Sequence, residues 1–270
     1  MTSRRSQRLP TSPVDGSTHL PNIMAKRHIG TLEEFTHSNV LLAFDFDGTL
    51  APIVRDPSRA RMRPLTRRLL GAVARRYPCV VISGRARDDV LKRVGSVPVR
   101  QVSGNHGLEP WGQNAAYPGR VQRWVRGLRR ALAAHAGVVV EDKTYSVTVH
   151  YRQARHRRAA LAAINEATNK LRDARLLGGK DAVSLIPRGA PDKGVALDRA
   201  RRLMVCDTAI YVGDDQTDED AFRARRPSSL LGIRVGLRGK SAARYGLRTQ
   251  DEMDDFLQAL LDLRPLGSKG

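Results

Sequence analysis

The sequence predicts an α/β fold in which a smaller α/β module is inserted into a parallel-sheet core, and three observations predict it. The apolar runs Leu41-Leu42-Ala43-Phe44, Cys79-Val80-Val81-Ile82 and Ala209-Ile210-Tyr211-Val212 are continuous, as in strands buried on both faces. Amphipathic helical stretches alternate with them along the chain, the order of a parallel sheet with crossover helices. From about 113 to 187 the character changes. There Tyr145, Val147, Val149 and Tyr151 alternate with Ser146, Thr148, His150 and Arg152, the period of a sheet with one packed and one wet face.

Taken in order, Met1 to about Ile29 is polar and holds Pro10, Pro13 and Pro21. Residues 1–30 therefore read as a disordered tail, or as an overreach with Met24 as the true start. The first strand empties into Asp45-Phe46-Asp47-Gly48-Thr49. A chain turning at glycine can bring both carboxylates around one cavity, where they repel unless one stays protonated or a cation joins them. That pair offers a nucleophile beside a proton donor, or else an acidic strand end that caps the next helix.

Ala51 to Pro64 holds three prolines and reads as a loop. Leu65, Leu69, Leu70 and Val73 then fall at helical spacing up to Tyr77-Pro78. The second strand ends in Ser83-Gly84-Arg85, a hydroxyl, a glycine and a guanidinium that suit phosphate oxygens or an ordinary turn. Asp88 is expected to cap a helix through Val94, and Val99 to Val102 to form a third strand. It ends in Ser103-Gly104-Asn105-His106-Gly107-Leu108-Glu109, so three successive strands finish in small polar residues on one shared rim.

In the inserted module, Val121, Trp124, Val125, Leu128 and Leu132 form a helical stripe, and Val138 to Val140 begins a strand pair. Ala159 to Leu171 reads as a helix, Gly178-Gly179 as a turn and Ala182 to Ile186 as a strand. Glu141, Lys143, Arg152 and Lys180 fall on or near the polar sheet face, where they suit a polyhydroxyl ligand or simply solvent.

Past Pro191, Asp192-Lys193-Gly194 opens a helix, and a lysine in a first turn opposes the helix dipole. It needs partner carboxylates or a phosphate. The strand at 209–212 ends in Gly213-Asp214-Asp215-Gln216-Thr217-Asp218-Glu219-Asp220. Thr217 as N-cap explains the last three acids and leaves Asp214 and Asp215, oxygen ligands of the kind magnesium takes. A strand near 233–235, a loop with a helical turn over 236–248, a helix from Asp251 to about Leu263 and a tail at 265–270 close the chain. The expected domains are a core of 31–112 and 188–264 and a module of 113–187.

The net charge of +20 and pI near 11.1 would ordinarily suggest a polyanionic partner. Only eight of the 47 basic residues are lysine, and the arginines are scattered in pairs such as Arg67-Arg68 and Arg129-Arg130, as on solvated helix faces. With 5% aromatic residues there is little for base stacking, so nucleic acid is not expected. Apolar runs fall short of the ~20 residues a membrane span needs. Cys79 and Cys206 sit beside apolar residues and read as buried thiols of a reducing compartment, which points to the cytoplasm.

The motifs Asp45-Phe46-Asp47-Gly48-Thr49, Ser83-Gly84-Arg85, Lys193-Gly194 and Gly213-Asp214-Asp215 with Asp218 stand in the order of the haloacid dehalogenase superfamily. From about Leu41 to Leu263 the chain resembles that superfamily of phosphoryl-transfer enzymes, which inserts an α/β cap in the long interval between Ser83 and Lys193. Gly104-Asn105-His106-Gly107-Leu108-Glu109, Glu141-Asp142-Lys143, His150-Tyr151-Arg152 and Gly179-Lys180 resemble the trehalose-6-phosphate phosphatases within it. The resemblance implies a Rossmann-like core with a cap, Asp45 as nucleophile and Asp47 as acid and base. Ser83 and Lys193 would hold the phosphoryl oxygens, and Mg2+ would bind Asp45, the main-chain carbonyl of Asp47 and Asp214, with Asp215 and Asp218 close by. Arg85, Asn105, His106, Glu141, Lys143, Arg152, Lys180 and Asp218 would serve the substrate. It also implies trehalose 6-phosphate as substrate; the chain is expected to be a monomer and, with no glycosyltransferase domain beside it, to take that substrate from a separate synthase. One departure is Ser184, where the family usually has glutamate, so another phosphorylated glycoside remains an alternative, as does phosphomutase chemistry.

Overall fold

The computed structural model describes residues 19–111, 115–179, 181–225 and 228–264. The chain runs through α1 (Ile29–His37), β1 (Val40–Phe44), α2 (Pro64–Val73), β2 (Cys79–Ile82), α3 (Arg87–Val94) and β3 (Gln101–Ser103). It continues with α4 (Ala116–Ala131), β4 (Val139–Asp142), β5 (Val147–His150), α5 (Arg157–Asn169), β6 (Ala174–Gly179) and β7 (Ala182–Pro187). The last elements are α6 (Lys193–Leu203), β8 (Thr208–Gly213), α7 (Glu219–Phe222), β9 (Leu230–Val235), β10 (Tyr245–Leu247) and α8 (Glu252–Leu263).

Six strands form one sheet in the order β10-β9-β8-β1-β2-β3, with every pairing parallel. β1 is apolar throughout because both of its faces are covered. Val40, Leu42 and Phe44 pack with Leu70 and Val73 of α2 and with Phe256 and Leu260 of α8, while Leu41 and Ala43 pack with Leu197 and Ala200 of α6. Each fully buried valine, leucine or phenylalanine side chain among them contributes about 1.5–3 kcal/mol.

The chain winds outward from β1 to β3 and returns on the other side of β1 as β8, β9 and β10. The order therefore reverses between β1 and β8, and the crevice at the carboxyl ends there is where open α/β sheets bind ligands.

The second sheet is antiparallel, β4-β5-β7-β6. α4 and α5 cover one face, where Val121, Trp124, Val125, Leu128 and Ile164 enclose Val147, Val149 and Leu185. Alternation along the strands turns Glu141, Thr148 and Ser184, which share one row, to the other face.

Several expectations change. Residues 19–30, read as the end of a tail, are built into the fold: Asn22 bridges Gly246 in parallel, and Leu20 N–H donates to Leu237 O at 2.8 Å. Ile23 is fully buried in the main core. Residues 1–18 of the expected tail, and the tail at 265–270, lie outside the described residues. Asp88 sits inside the first turn of α3, and Ala86 holds the N-cap position without a side-chain bond. Gly178 and Gly179 belong to β6 rather than a turn, and the reversal falls at Asp181, whose φ is +59°. Tyr245 to Leu247, read as part of a loop and helical turn, pairs with β9.

Candidate active site

Asp45 is the first residue beyond β1, and its N–H donates to Val212 O at 2.9 Å, which fixes it against β8. Its carboxylate is buried, with Oδ1 3.0 Å from Lys193 Nζ. Lys193 opens α6, where the Asp192 carboxylate accepts from Val195 N–H as the N-cap. The partner carboxylates that its place in a first turn demands are Asp45 and Asp218, the latter at 2.7 Å.

Asp218 is fully buried and fully engaged. Oδ1 accepts from Lys193 Nζ and, at 2.6 Å, from the Tyr211 hydroxyl; Oδ2 accepts the N–H groups of Asp214 and Asp215 at 2.9 Å each. It therefore holds Lys193 and the 213–215 turn, at a residue expected to serve the substrate. Asp214 lies against Gly48, which has φ +83° and where a Cβ would overlap the carboxylate, so glycine is required twice over. Thr49 Oγ1 approaches Asp214 Oδ1 at 3.4 Å.

Asp45, Asp214 and Asp218 each present an oxygen within 4.8 Å of the others. With Asp218 committed, the open oxygens are those of Asp45 and Asp214. Burial first, then Asp218 and Asp215, push the Asp214 pKa up to about 8. Burial likewise holds Asp45 well above the ordinary carboxylate range, despite Lys193. Lys193 stays charged: burial opposes the charge, but Asp218 and Asp45 outweigh it. One ammonium among these acids leaves negative charge uncompensated, and an oxygen-only donor set of this kind fits a hard divalent cation.

Asp215 is not part of that cluster among the described residues. Its Oδ1 accepts from Thr217 N–H at 2.7 Å, Thr217 Oγ at 2.6 Å and Asp218 N–H at 3.2 Å. Asp215, rather than Thr217, is thus the N-cap of the 216–218 turn, in a capping box with Asp218. Its Oδ1 thus forms the turn, at a residue expected among the metal ligands.

Ser83 ends β2, buried, with its N–H on Ser103 O at 2.9 Å and its Oγ accepting Arg85 N–H at 3.2 Å. Arg85, expected at a phosphate, instead forks onto Asp47, Nε to Oδ2 at 2.5 Å and Nη2 to Oδ1 at 2.7 Å. The loop after β3 clamps these residues. Asn105 and His106 both take positive φ, 49° and 60°, and their N–H groups donate to Arg85 O at 2.7 Å and Ser83 O at 2.9 Å. The His106 ring packs on Gly84, where a Cβ would stand 2.5 Å from Cε1. Burial, then Lys193 and Lys143, lower the His106 pKa to about 3, so the imidazole is neutral. Asn105 is buried with its amide spent on Glu109 at 2.6 Å, Ser146 Oγ at 2.5 Å and Lys143 O at 3.3 Å, which leaves it joining two loops rather than facing substrate.

The polar face of the small sheet lies over this rim. Lys143 Nζ donates to Gly84 O at 3.1 Å and lies 3.6 Å from Glu141, which also accepts from His150 Nε2 at 2.8 Å. Arg152 donates to Val54 O at 2.8 Å and pairs with Asp181. Ser184 Oγ and Thr148 Oγ1 are 2.9 Å apart. Lys180 lies outside the described residues. Sequence reasoning missed Tyr211, Ser146 and Arg175, the last pairing with Asp192 and Asp220. A tyrosine in an aliphatic strand was a usable signal, because a buried hydroxyl needs a partner. Ser146 and Arg175 carried none, their partners being remote in sequence.

Carboxylates, a hydroxyl and a buried ammonium converging where a parallel sheet reverses its order suit a phosphate ester. The family model for trehalose-phosphatase matches residues 43–250, and the chain belongs to that family. It is 37% identical over 241 residues to a trehalose-phosphate phosphatase of Mycolicibacterium paratuberculosis, covering 81% of this chain and 61% of that protein. It is 31% identical over 251 residues to trehalose 6-phosphate phosphatase RA3 of Zea mays, covering 82% and 69%. The chain thus spans about three fifths of the mycobacterial-type relative's length. The C-terminal domain of a C. albicans trehalose-6-phosphate phosphatase superposes with TM-score 0.71 at 22% identity, covering 93% of this chain and all of that one, a likeness of fold.

Proposed function

We propose that the chain hydrolyses trehalose 6-phosphate to trehalose and phosphate through an aspartyl phosphate on Asp45, with magnesium as the ion. The observation that carries this reading is the pairing of Lys193 with both Asp45 and Asp218 beside Asp214. It keeps one Asp45 oxygen engaged and orients the other as a nucleophile.

In the first half of the reaction an Asp45 oxygen bonds phosphorus and the bond from phosphorus to the sugar oxygen breaks. The electron pair goes to that oxygen, which takes a proton from Asp47. In the second half Asp47 takes a proton from water as the water oxygen bonds phosphorus and Asp45 is released. Ser83 donates to a phosphoryl oxygen, and Lys193 offsets the charge of the nucleophile. A magnesium ion held by Asp45, Asp214 and the main-chain carbonyl of Asp47 would neutralise charge on the phosphoryl group.

Residues 113–187 act as a cap on a core of 31–112 and 188–264. Glu141, Lys143, Arg152 and Lys180 turn to sugar hydroxyls, and closure excludes water. The protein works in the cytoplasm as a monomer, on substrate from a separate synthase. Ser184, paired with Thr148 and uncharged, favours a second reading in which another phosphorylated glycoside is the preferred substrate.

A phosphate-release panel of disaccharide and hexose phosphates, run with and without Mg2+, decides between them. Trehalose 6-phosphate is expected to exceed glucose 6-phosphate by at least ~10-fold in kcat/KM, and only with the ion. Equal rates on the two would overturn the assignment of substrate, and Asp45→Asn with undiminished turnover would overturn the chemistry.

A further inference from the structure

We infer that Arg85 is a positioning residue that sets the orientation of the Asp47 carboxylate for proton transfer to the leaving sugar oxygen, rather than a phosphate ligand. The inference rests on the reading of Asp47 as acid and base. A guanidinium has five N–H donors in a planar fork that matches a carboxylate. Nε and one Nη2 hydrogen go to the two oxygens of Asp47, the other Nη2 hydrogen to Pro57 O at 2.8 Å, and an Nη1 hydrogen to Asp89 Oδ2 at 2.8 Å. Four of the five are engaged within the protein, so little is left for phosphoryl oxygens.

The fork is itself held. Asp89 also accepts from Arg93 Nε at 3.0 Å, and Arg93 reaches on to Ser58 O and Ala60 O. The guanidinium carbon stands 6.0 Å from the centre of the Phe46 ring, and the Arg85 side chain is 13% exposed. Helix α3 and the loop over 51–63 thus fix Arg85, and Arg85 fixes the plane of Asp47. The clamp takes one lone pair on each Asp47 oxygen and leaves one on each. When the phosphorus–oxygen bond breaks and its electron pair goes to the sugar oxygen, the proton that oxygen takes comes from an acid whose direction Arg85 has set. Water returns the proton to Asp47 in the second half, with the clamp in place.

The test uses two esters that differ in their need for a proton. The sugar oxygen of trehalose 6-phosphate leaves as an alkoxide unless protonated, while the phenolate of p-nitrophenyl phosphate leaves unaided. The readout is the ratio of kcat/KM for the sugar ester to that for the aryl ester in wild type, R85K, R85Q, D47N and R85Q/D47N, each checked for folding by circular dichroism. D47N is expected to lower the ratio by about 10²–10⁴, the worth of general acid catalysis. R85Q should lower it at least ~10-fold and R85K less, since lysine keeps the charge but not the fork. The double variant should fall no further than D47N, because residues acting through one another are not additive.

Equal loss on both esters in R85Q, with weakened inhibition by inorganic phosphate, would overturn the inference and make Arg85 a phosphate ligand. An additive double variant would overturn it too. A ratio unmoved by D47N would instead remove the acid role itself, and this inference with it. Should R85Q fail to fold, the ratio in R85K decides: unchanged, it overturns the proposal.

Discussion

Lys193 is buried between Asp45 and Asp218, and a buried charge pair is most costly when one side is removed. Lys193→Met is therefore expected to lose about 3–5 kcal/mol of stability in urea denaturation, together with turnover. Asp214 gives the opposite sign. Its carboxyl titrates near 8 in the folded chain against about 4 when unfolded, so the folded state binds the extra proton between those values. Without added metal, stability should fall as pH rises through that window, and Asp214→Asn should flatten the fall; thermal melts from pH 4 to pH 8 without and with Mg2+ measure both. The positions that gather at the crevice were legible because Asp45, Ser83 and Asp214 each follow an apolar run that can only be a buried strand. What those side chains touch was less so. Asp215 and Thr217 are equally good caps by residue type, and only the backbone shows that Asp215 takes the part. The fork from Arg85 to Asp47 spans 38 residues and has no local trace.

Elements with continuous apolar runs, β1, β2 and β8, were readable in advance, since burial on both faces leaves no polar position to obscure them. Short or mixed elements were not. β6 carries an arginine and two glycines, β10 is three residues long with a central glycine, and α1 is rich in threonine and glutamate. The approach to α1 was hidden for the same reason, because an edge contribution needs few apolar side chains. Ile23 is the one that sinks fully into the core beside Leu32 and Phe256. Ile23→Ala is expected to cost about 2–5 kcal/mol, and a chain begun at Met24 should melt earlier than one begun at Met1 by a comparable margin. Equal midpoints in denaturant for the two chains would show that the pairing of Leu20 and Asn22 with the β9–β10 region contributes nothing to stability.

Across the molecule the small sheet is docked by side chains that reach different loops of the parallel core: Lys143 to Gly84, Arg152 to Val54, Ser146 to Asn105, and Arg175 to Asp192 and Asp220. Arg175 is on β6, at the opposite edge of the sheet from β4, which Lys143 follows, so it anchors the opposite side. Arg175→Gln is expected to raise KM for the sugar phosphate several-fold more than it lowers kcat, with faster amide exchange in β6 and β7. A change confined to kcat would place Arg175 in the chemistry instead. No helix among the described residues is long and apolar enough to cross a membrane.

The pairing of β1 with β8 has a consequence for synthesis. Because β1, which leads into Asp45, pairs early with β2 but gains its second neighbour only after the whole antiparallel sheet has left the ribosome, the intervening piece, with its own apolar interior of Trp124, Val149 and Leu185, is free to consolidate first. Until β8 emerges, one flank of β1 stands open as a template for another nascent chain. Translation speed past residue 213 thus bears on how much of this protein is lost to aggregation.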